Sequence, residues 1–236
     1  MNIIITGASR GIGKELTRLF TKQPGHKLFL ISRNKQKLEL LINECKTVQP
    51  YAKIFALPFD LENTHNIHSL IPIINEEVNS IDILINNAGF LINKPFNQTT
   101  HSDIEHIYKV NVLAPIELIK CLIPLFEKSE SAHIVNIGSM GGYQGSVKFP
   151  GLAGYASSKA AIAGLTECLA EEYKNSNIKF NCLSLGAVAT EMLAEAFPGY
   201  KAPTTALEMA VFIHDFALNG HKMFNGKIIP VSKTTP

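Results

Sequence analysis

The sequence has 236 residues, 46% hydrophobic and 18% charged, a balance that argues against wholesale disorder and allows one or two domains whose core needs no metal or disulfide staples. Lys plus Arg total 22 and Asp plus Glu 20, so the net charge of +2 is too balanced for a chain built mainly to neutralise phosphate backbones. The four cysteines (Cys45, Cys121, Cys168, Cys182) form no CxxC pair, which argues against a zinc ribbon, a redox dithiol or a disulfide framework and fits reduced thiols in the cytosol.

Short apolar runs alternate with longer amphipathic segments. Met1–Ile5 reads as a strand, and Gly11–Lys22 as a helix with Leu16, Leu19 and Phe20 on one face. Lys27–Ile31 is the next strand, and Lys35–Thr47 a helix carrying Leu38, Leu41 and Ile42. Ala52–Ala56 reads as a strand, and Asn63–Asn79 as a helix disturbed at Pro72. Ile81–Ile85 is a strand. One long helix follows from Ser102 to about Lys128, with Pro115 a bend and Pro124 near its end. Ala132–Gly138 is a strand, Tyr155–Asn175 a helix, Ile178–Ser184 a strand, Thr204–Asn219 a helix and Lys227–Val231 the final strand.

Seven strands separated by helices predict an α/β fold: a single-domain, Rossmann-type, doubly wound parallel sheet with helices on both faces. The runs IIITG, LFLI, IDILI and HIVNI are nearly continuous in apolar residues, as strands covered on both faces should be. Met140–Gly154 and Met192–Pro203 are the least regular stretches, and both follow strand ends, where open α/β sheets bind ligands. Ile3–Ile5 is too short for a signal-peptide core, and no run of 18 apolar residues exists. The expectation is therefore a cytoplasmic protein with no membrane partner.

Strand one runs directly into Thr6-Gly7-Ala8-Ser9-Arg10-Gly11-Ile12-Gly13 and then a helix. Glycines there allow a tight turn and let the backbone approach a pyrophosphate at the helix N-terminus, whose dipole favours an anion. Glycine clusters alone are often plain turns; the strand before and the helix after point to a nucleotide site. The spacing GxxxGxG resembles the TGxxxGxG of the short-chain dehydrogenases/reductases. Asn86-Asn87-Ala88-Gly89, after strand four, resembles the family's NNAG. Asn111, Ser139, Tyr155 and Lys159 fall in the family's order. The resemblance covers essentially the whole chain. It implies a dinucleotide-binding part over about 1–138 and a catalytic and substrate-binding part over about 139–236. Within the first part it implies cofactor contacts from Gly7, Ser9, Arg10, Gly11, Ile12, Gly13, Asn87, Ala88 and Gly89.

In dinucleotide folds an acid about 20 residues past the glycine loop binds the ribose 2′-hydroxyl and selects NAD. Here that position is Arg33, and no acid lies between Glu15 and Glu39. Arg33, with Arg10 from the loop, suits a phosphate through charge-assisted hydrogen bonds, so the expected cofactor is NADP(H). The alternative is that Arg33 and Lys35 are the start of a solvated helix. Asp60, followed by Leu61, resembles the family's adenine-binding aspartate; a helix N-cap is the alternative.

Tyr155 and Lys159 lie four apart in YASSK, on one face of a helix. A phenol normally titrates near 10, and a nearby ammonium is expected to lower that value toward neutral pH, where acid–base catalysis works best. The resemblance implies that Tyr155 is the general acid/base, that Lys159 also binds the nicotinamide ribose, that Ser139 hydrogen-bonds the substrate oxygen, and that Asn111 holds a water relay. It further implies nicotinamide contacts from Val188 and Thr190, although Leu185 replaces the family's usual proline beside them.

Ser139 and Tyr155 are 16 residues apart, a few more than is usual in the family. Tyr143 and Phe149 in that loop, and Phe197 and Tyr200 in the later one, suggest aromatic walls beside the substrate; a neutral surface insertion is the alternative. The tail from Pro230 to Pro236 lacks the glycine pair common after the last strand and is expected to pack differently against a neighbouring subunit. His65 and His68 lack the pattern of a metal site, His133 reads as structural, and no basic stripe suggests nucleic acid. The reading is an NADPH-dependent reductase interconverting a ketone or aldehyde and an alcohol. Its alternatives are a 3-oxoacyl-thioester reductase and a non-catalytic NADP-binding sensor. A homodimer or homotetramer is implied by the family, with Leu113, Ile116, Leu165 and Leu169 available to the seam or to the protein's own sheet.

Overall fold

All seven apolar strands form, and they lie in one parallel sheet. The computed structural model describes residues 1–233. In chain order the elements are β1 (Asn2–Thr6), α1 (Gly11–Thr21), β2 (Lys27–Ser32), α2 (Lys35–Val48), β3 (Lys53–Pro58), α3 (Leu70–Asn75), β4 (Ile83–Asn86), α4 (His101–Tyr108), α5 (Ala114–Phe126), β5 (Ala132–Ser139), α6 (Ala153–Glu172), β6 (Ile178–Leu185), β7 (Val188–Ala189), α7 (Glu191–Ala196), β8 (Thr204–Thr205), α8 (Ala206–Asn219) and β9 (Lys227–Val231). The sheet order is β3-β2-β1-β4-β5-β6-β9. The order reverses between β1 and β4, which opens a crevice at their carboxyl ends.

Successive strand side chains point to opposite faces, so each apolar run feeds two cores. Ile3, Ile5, Leu28 and Leu30 pack with Leu16 and Phe20 of α1 and with Met209 and Ile213 of α8. Ile4, Phe29, Ile31 and Leu84 pack with Leu118, Leu122 and Phe126 of α5. Each such side chain, fully buried, contributes roughly 1.5–3 kcal/mol of transfer free energy. That is why residues 3–5 and 28–31 carry no polar side chain.

Two predicted helices are corrected. Asn63–Asn79 is not one helix: Thr64–Ser69 is a 3-10 segment, and α3 spans only Leu70–Asn75. Pro72 has no N–H and is tolerated only in a first turn, so the α-helix starts just before it. Ser102–Lys128 is split by a π turn over Lys109–Leu113. Pro115 has no N–H for the carbonyl of Asn111, and the Ala114 N–H reaches back five residues to Lys109.

Two elements were not foreseen in Met192–Pro203 and its flanks. Thr190 caps the short helix α7 through its hydroxyl, which accepts from Leu193 N. The pairs Val188–Thr204 and Ala189–Thr205 form a small parallel sheet that steadies the segment after Leu185. The last residues of the atypical tail, Thr234 to Pro236, lie outside the described residues. Among the described residues no helix is long and apolar enough to cross a membrane.

Candidate active site

The β1–α1 loop is shaped by two glycines. Gly7 has φ +65°, a left-handed conformation, and its Cα region abuts Ala88. A Cβ on Gly13 would collide with the Gly7 carbonyl, so only glycine lets α1 pack this close under the loop. Asn87 Nδ2 donates to the Thr6 carbonyl at 2.9 Å, and Ala88 N donates to Thr6 Oγ1 at 2.9 Å. These bonds stitch the glycine loop to the segment after β4. Arg10 sits at the α1 cap position without a side-chain capping bond, and no acid lies in the first turn. The positive end of α1 therefore faces the crevice.

The carboxyl ends of the central strands open into a cleft of about 1040 Å³. Of the predicted site residues, Gly7, Ser9, Arg10, Gly11, Ile12, Arg33, Asp60, Leu61, Asn87, Ala88, Gly89, Ser139, Tyr155, Lys159, Val188 and Thr190 line it. Gly13 and Asn111 stand behind its wall. At one end Ser9 Oγ and Ser32 Oγ are 2.7 Å apart, and Arg33 lies 4.0 Å from Asp60 in an exposed pair. Lys37, Phe90, His106 and Val110 also line the cleft. Their spacing gave no signal: Lys37 comes from α2, Phe90 from the segment after β4, His106 from α4 and Val110 from the π turn, and only the fold brings them together. The His106 ring lies 4.0 Å from the Phe90 ring, and its Nδ1 is 3.3 Å from Glu62.

At the other end, β5 delivers Ser139 and the first turn of α6 delivers Tyr155. The Ser139 hydroxyl accepts from Gly141 N at 3.2 Å and hydrogen-bonds Tyr155. Lys159, 5% exposed, lies one turn further, with Nζ 5.8 Å from the centre of the Tyr155 ring and donating to the Ile137 carbonyl at 2.7 Å. Burial lowers Lys159 to about 8. Burial also raises the Tyr155 phenol, and the Ser139 bond opposes this only in part. The phenol is thus shifted up and not down as the spacing predicts, with burial the larger cause and the Ser139 bond the opposing one. The group stays protonated across neutral pH.

Asn111 lies in the π turn, 1% exposed. Its Nδ2 donates to the Phe90 carbonyl and to Ser158 Oγ, both at 2.9 Å, and its Oδ1 accepts from Phe90 N at 2.7 Å. Asn111 Oδ1 and Lys159 Nζ each lie 3.6 Å from the point where a side chain on Gly89 would begin. The amide is therefore committed to fixing the Phe90 loop while facing the lysine across Gly89. Phe149, Phe197 and Tyr200 line the cleft mouth as expected; Tyr143 is not among the described residues that do.

A family model described as short chain dehydrogenase matches residues 1–201. The chain belongs to the short-chain dehydrogenase/reductase family. It is 31% identical over 216 residues to a ketoacyl reductase of Nostoc, covering 89% of this chain and 73% of that one. It is 32% identical over 208 residues to human estradiol 17-beta-dehydrogenase 11, covering 87% of this chain and 65% of that one. It thus spans just under two thirds of the human relative. Among solved structures it resembles a short chain dehydrogenase from Shigella flexneri complexed with NADP, with TM-score 0.87, 27% identity and coverage of 97% and 95%. As a short-chain dehydrogenase/reductase the chain is an oxidoreductase with a nicotinamide cofactor. The glycine loop, with Gly7 and Gly11 lining the cleft at the positive end of α1, fits the pyrophosphate of such a group.

Proposed function

We propose that the chain is an NADPH-dependent carbonyl reductase that interconverts a ketone or aldehyde and an alcohol. The observation that carries the reading is the placement of Ser139, Tyr155 and Lys159 in the same cleft as the glycine loop. We place a division at about residue 138: the glycine loop and the adenine contacts lie before it, and the catalytic side chains, the nicotinamide contacts and the substrate wall after it.

When bound, the reduced nicotinamide supplies a hydride. Tyr155, protonated through burial, gives its proton to the carbonyl oxygen. Ser139 donates to the same oxygen and stabilises charge as it develops there. Lys159, anchored on the Ile137 carbonyl, holds the ribose hydroxyls and stabilises the phenolate as it forms. Asn111, facing Lys159 across Gly89, holds a water, and the replacement proton passes through that water to the lysine. Val188 and Thr190 hold the nicotinamide side, Asp60 and Leu61 the adenine side.

NADPH is favoured over NADH by Arg10, Arg33 and Lys37 in the lining of the cleft and by the absence of an acid at the end of β2. Assembly into dimers or tetramers through α4–α5 and α6 fits an exposed Leu113, while Leu169 packs against the chain's own core. A carbonyl and alcohol screen following nicotinamide absorbance, with Tyr155→Phe as the blank, tests the chemistry. Binding of nucleotide without any turnover contradicts it and favours a sensor. Preference for NADH, or unchanged NADPH affinity in Arg33→Asp, contradicts the cofactor assignment. A second reading, a 3-oxoacyl-thioester reductase, is favoured by the similarity to the Nostoc ketoacyl reductase. Thioester substrates in the same screen decide between the two.

A further inference from the structure

The glycine loop and α7 are joined by charge. Arg10 Nη1 donates to Glu195 Oε1 at 2.7 Å. One turn earlier on α7, Glu191 Oε2 lies 3.5 Å from the point where a side chain on Gly11 would begin. Residues four apart share a helix face, so both acids look at the loop. Both line the cleft. The far end of α7 is tied differently: Asn93 Nδ2 donates to the Ala196 carbonyl at 3.0 Å. Thus α7 is held to the glycine loop by an ion pair and to the segment after β4 by a neutral hydrogen bond.

We propose that Glu195 is a positioning residue for cofactor choice. It competes with the 2′-phosphate of the cofactor for Arg10, so that a phosphorylated nucleotide releases α7 and an unphosphorylated one does not. The inference rests on the NADPH reading and extends it to the wall of the substrate cleft. The side chains of Arg10 and Glu195 are 38% and 65% exposed, and an ion pair in that setting is weak. A phosphate offers a guanidinium stronger, bidentate bonds, so the exchange runs toward the phosphate. Glu195 engages Arg10 through Nη1, so a phosphate that draws the guanidinium toward itself loosens that tie, and the state of α7 is then linked to the 2′ position. Glu191 acts otherwise. It faces Gly11, where the pyrophosphate common to both cofactors approaches, and its charge opposes both alike.

The test uses the full chain and four probes: NADPH, NADH, adenosine 2′,5′-bisphosphate and AMP, titrated calorimetrically. Glu195→Gln should tighten NADPH and the bisphosphate by about two- to fivefold, the range an exposed ion pair supports, and leave NADH and AMP unchanged. Glu191→Gln should tighten NADPH and NADH equally. A second readout follows α7 itself. The sequence contains no tryptophan, so Tyr200→Trp, at the cleft mouth, gives a single emitter. Its emission should shift with the bisphosphate and not with AMP, and Glu195→Gln should produce that shift before any nucleotide is added. If Glu195→Gln alters NADPH and NADH affinities equally or not at all, or if AMP shifts the emission as the bisphosphate does, the inference is overturned. If instead the wild type binds NADH more tightly than NADPH and Arg10→Ala changes neither affinity, the cofactor reading itself falls.

Discussion

His133 opens β5 and is 1% exposed. Its Nδ1 lies 2.9 Å from the Ala217 carbonyl and its Nε2 lies 3.0 Å from Asn181 Nδ2. A carbonyl can only accept and an amide nitrogen can only donate, so Nδ1 carries the proton and Nε2 is bare. Protonation would bring a second N–H against the Asn181 amide, and His221 also faces the ring at 5.4 Å. Burial accordingly depresses His133 to about 4. The sign follows directly. In the unfolded chain the imidazole takes its proton near 6.5, so between about 6.5 and 4 the unfolded state binds more protons and stability falls as pH falls. A gap of about 2.5 pH units, at 1.36 kcal/mol each, costs about 3 kcal/mol once pH is below 4, most of it by pH 4.5. The same direction holds for His26 and His221, both lowered by burial. The perturbation is therefore His133→Gln, assayed by urea unfolding at pH 7.5 and 4.5. The variant is less stable at pH 7.5 because it loses packing. Its loss on acidification, however, should be smaller than the wild type's by about 2–3 kcal/mol. Equal acid-induced losses in the two proteins would show that His133 accepts its proton in the folded state, and the reasoning would fail.

Three further outcomes follow from the site. Lys159 is charged only below about 8, so kcat/KM for carbonyl reduction should be level at neutral pH and fall about tenfold per unit above that value; a falling limb left in place by Lys159→Arg, given residual activity, contradicts the assignment. Tyr155→Phe should lower kcat by about 10²–10⁴ while NADPH affinity, read calorimetrically, stays within a few-fold; parallel loss of binding would mean the phenol is structural. Asn111→Ala strands the Phe90 carbonyl and N–H and should cost about 1–3 kcal/mol in chemical denaturation as well as activity; loss of activity at unchanged stability would mean that the bonds to Phe90 and Ser158 hold nothing together.

The strands and the glycine loop were legible because their causes are local. A strand buried on both faces is mostly apolar, its few polar residues such as Asn136 and Asn181 being hydrogen-bonded, and a loop in which Gly13 lies against Gly7 admits no side chain. The YASSK spacing was legible for the same reason: one helical turn places both groups on one side. What failed was anything decided by two segments at once. The π turn needs Pro115 to deny Asn111 its usual partner, yet its site is set by the contacts of Asn111 with Phe90 and Ser158, which are 21 and 47 residues away. The balance at Tyr155 failed in the same way. Spacing reveals the ammonium but not the depth of burial, and depth decides the direction of the shift.

That reversal bears on how the site works. A phenol lowered toward neutrality in the resting protein would be partly ionised and, in that fraction, unable to donate. A phenol kept up by burial is a complete reservoir of protons, and the lysine's charge acts chiefly on the phenolate that donation leaves behind. The same burial that raises Tyr155 lowers Lys159 to about 8, so the two opposed shifts have one cause. On the proposed mechanism the pair holds two protons at neutral pH, one to give and one whose charge makes the giving easier. Opening the cleft to water at this point would relax both shifts together, which is why the aromatic mouth at Phe149, Phe197 and Tyr200 belongs to the chemistry as much as to the fit of a substrate.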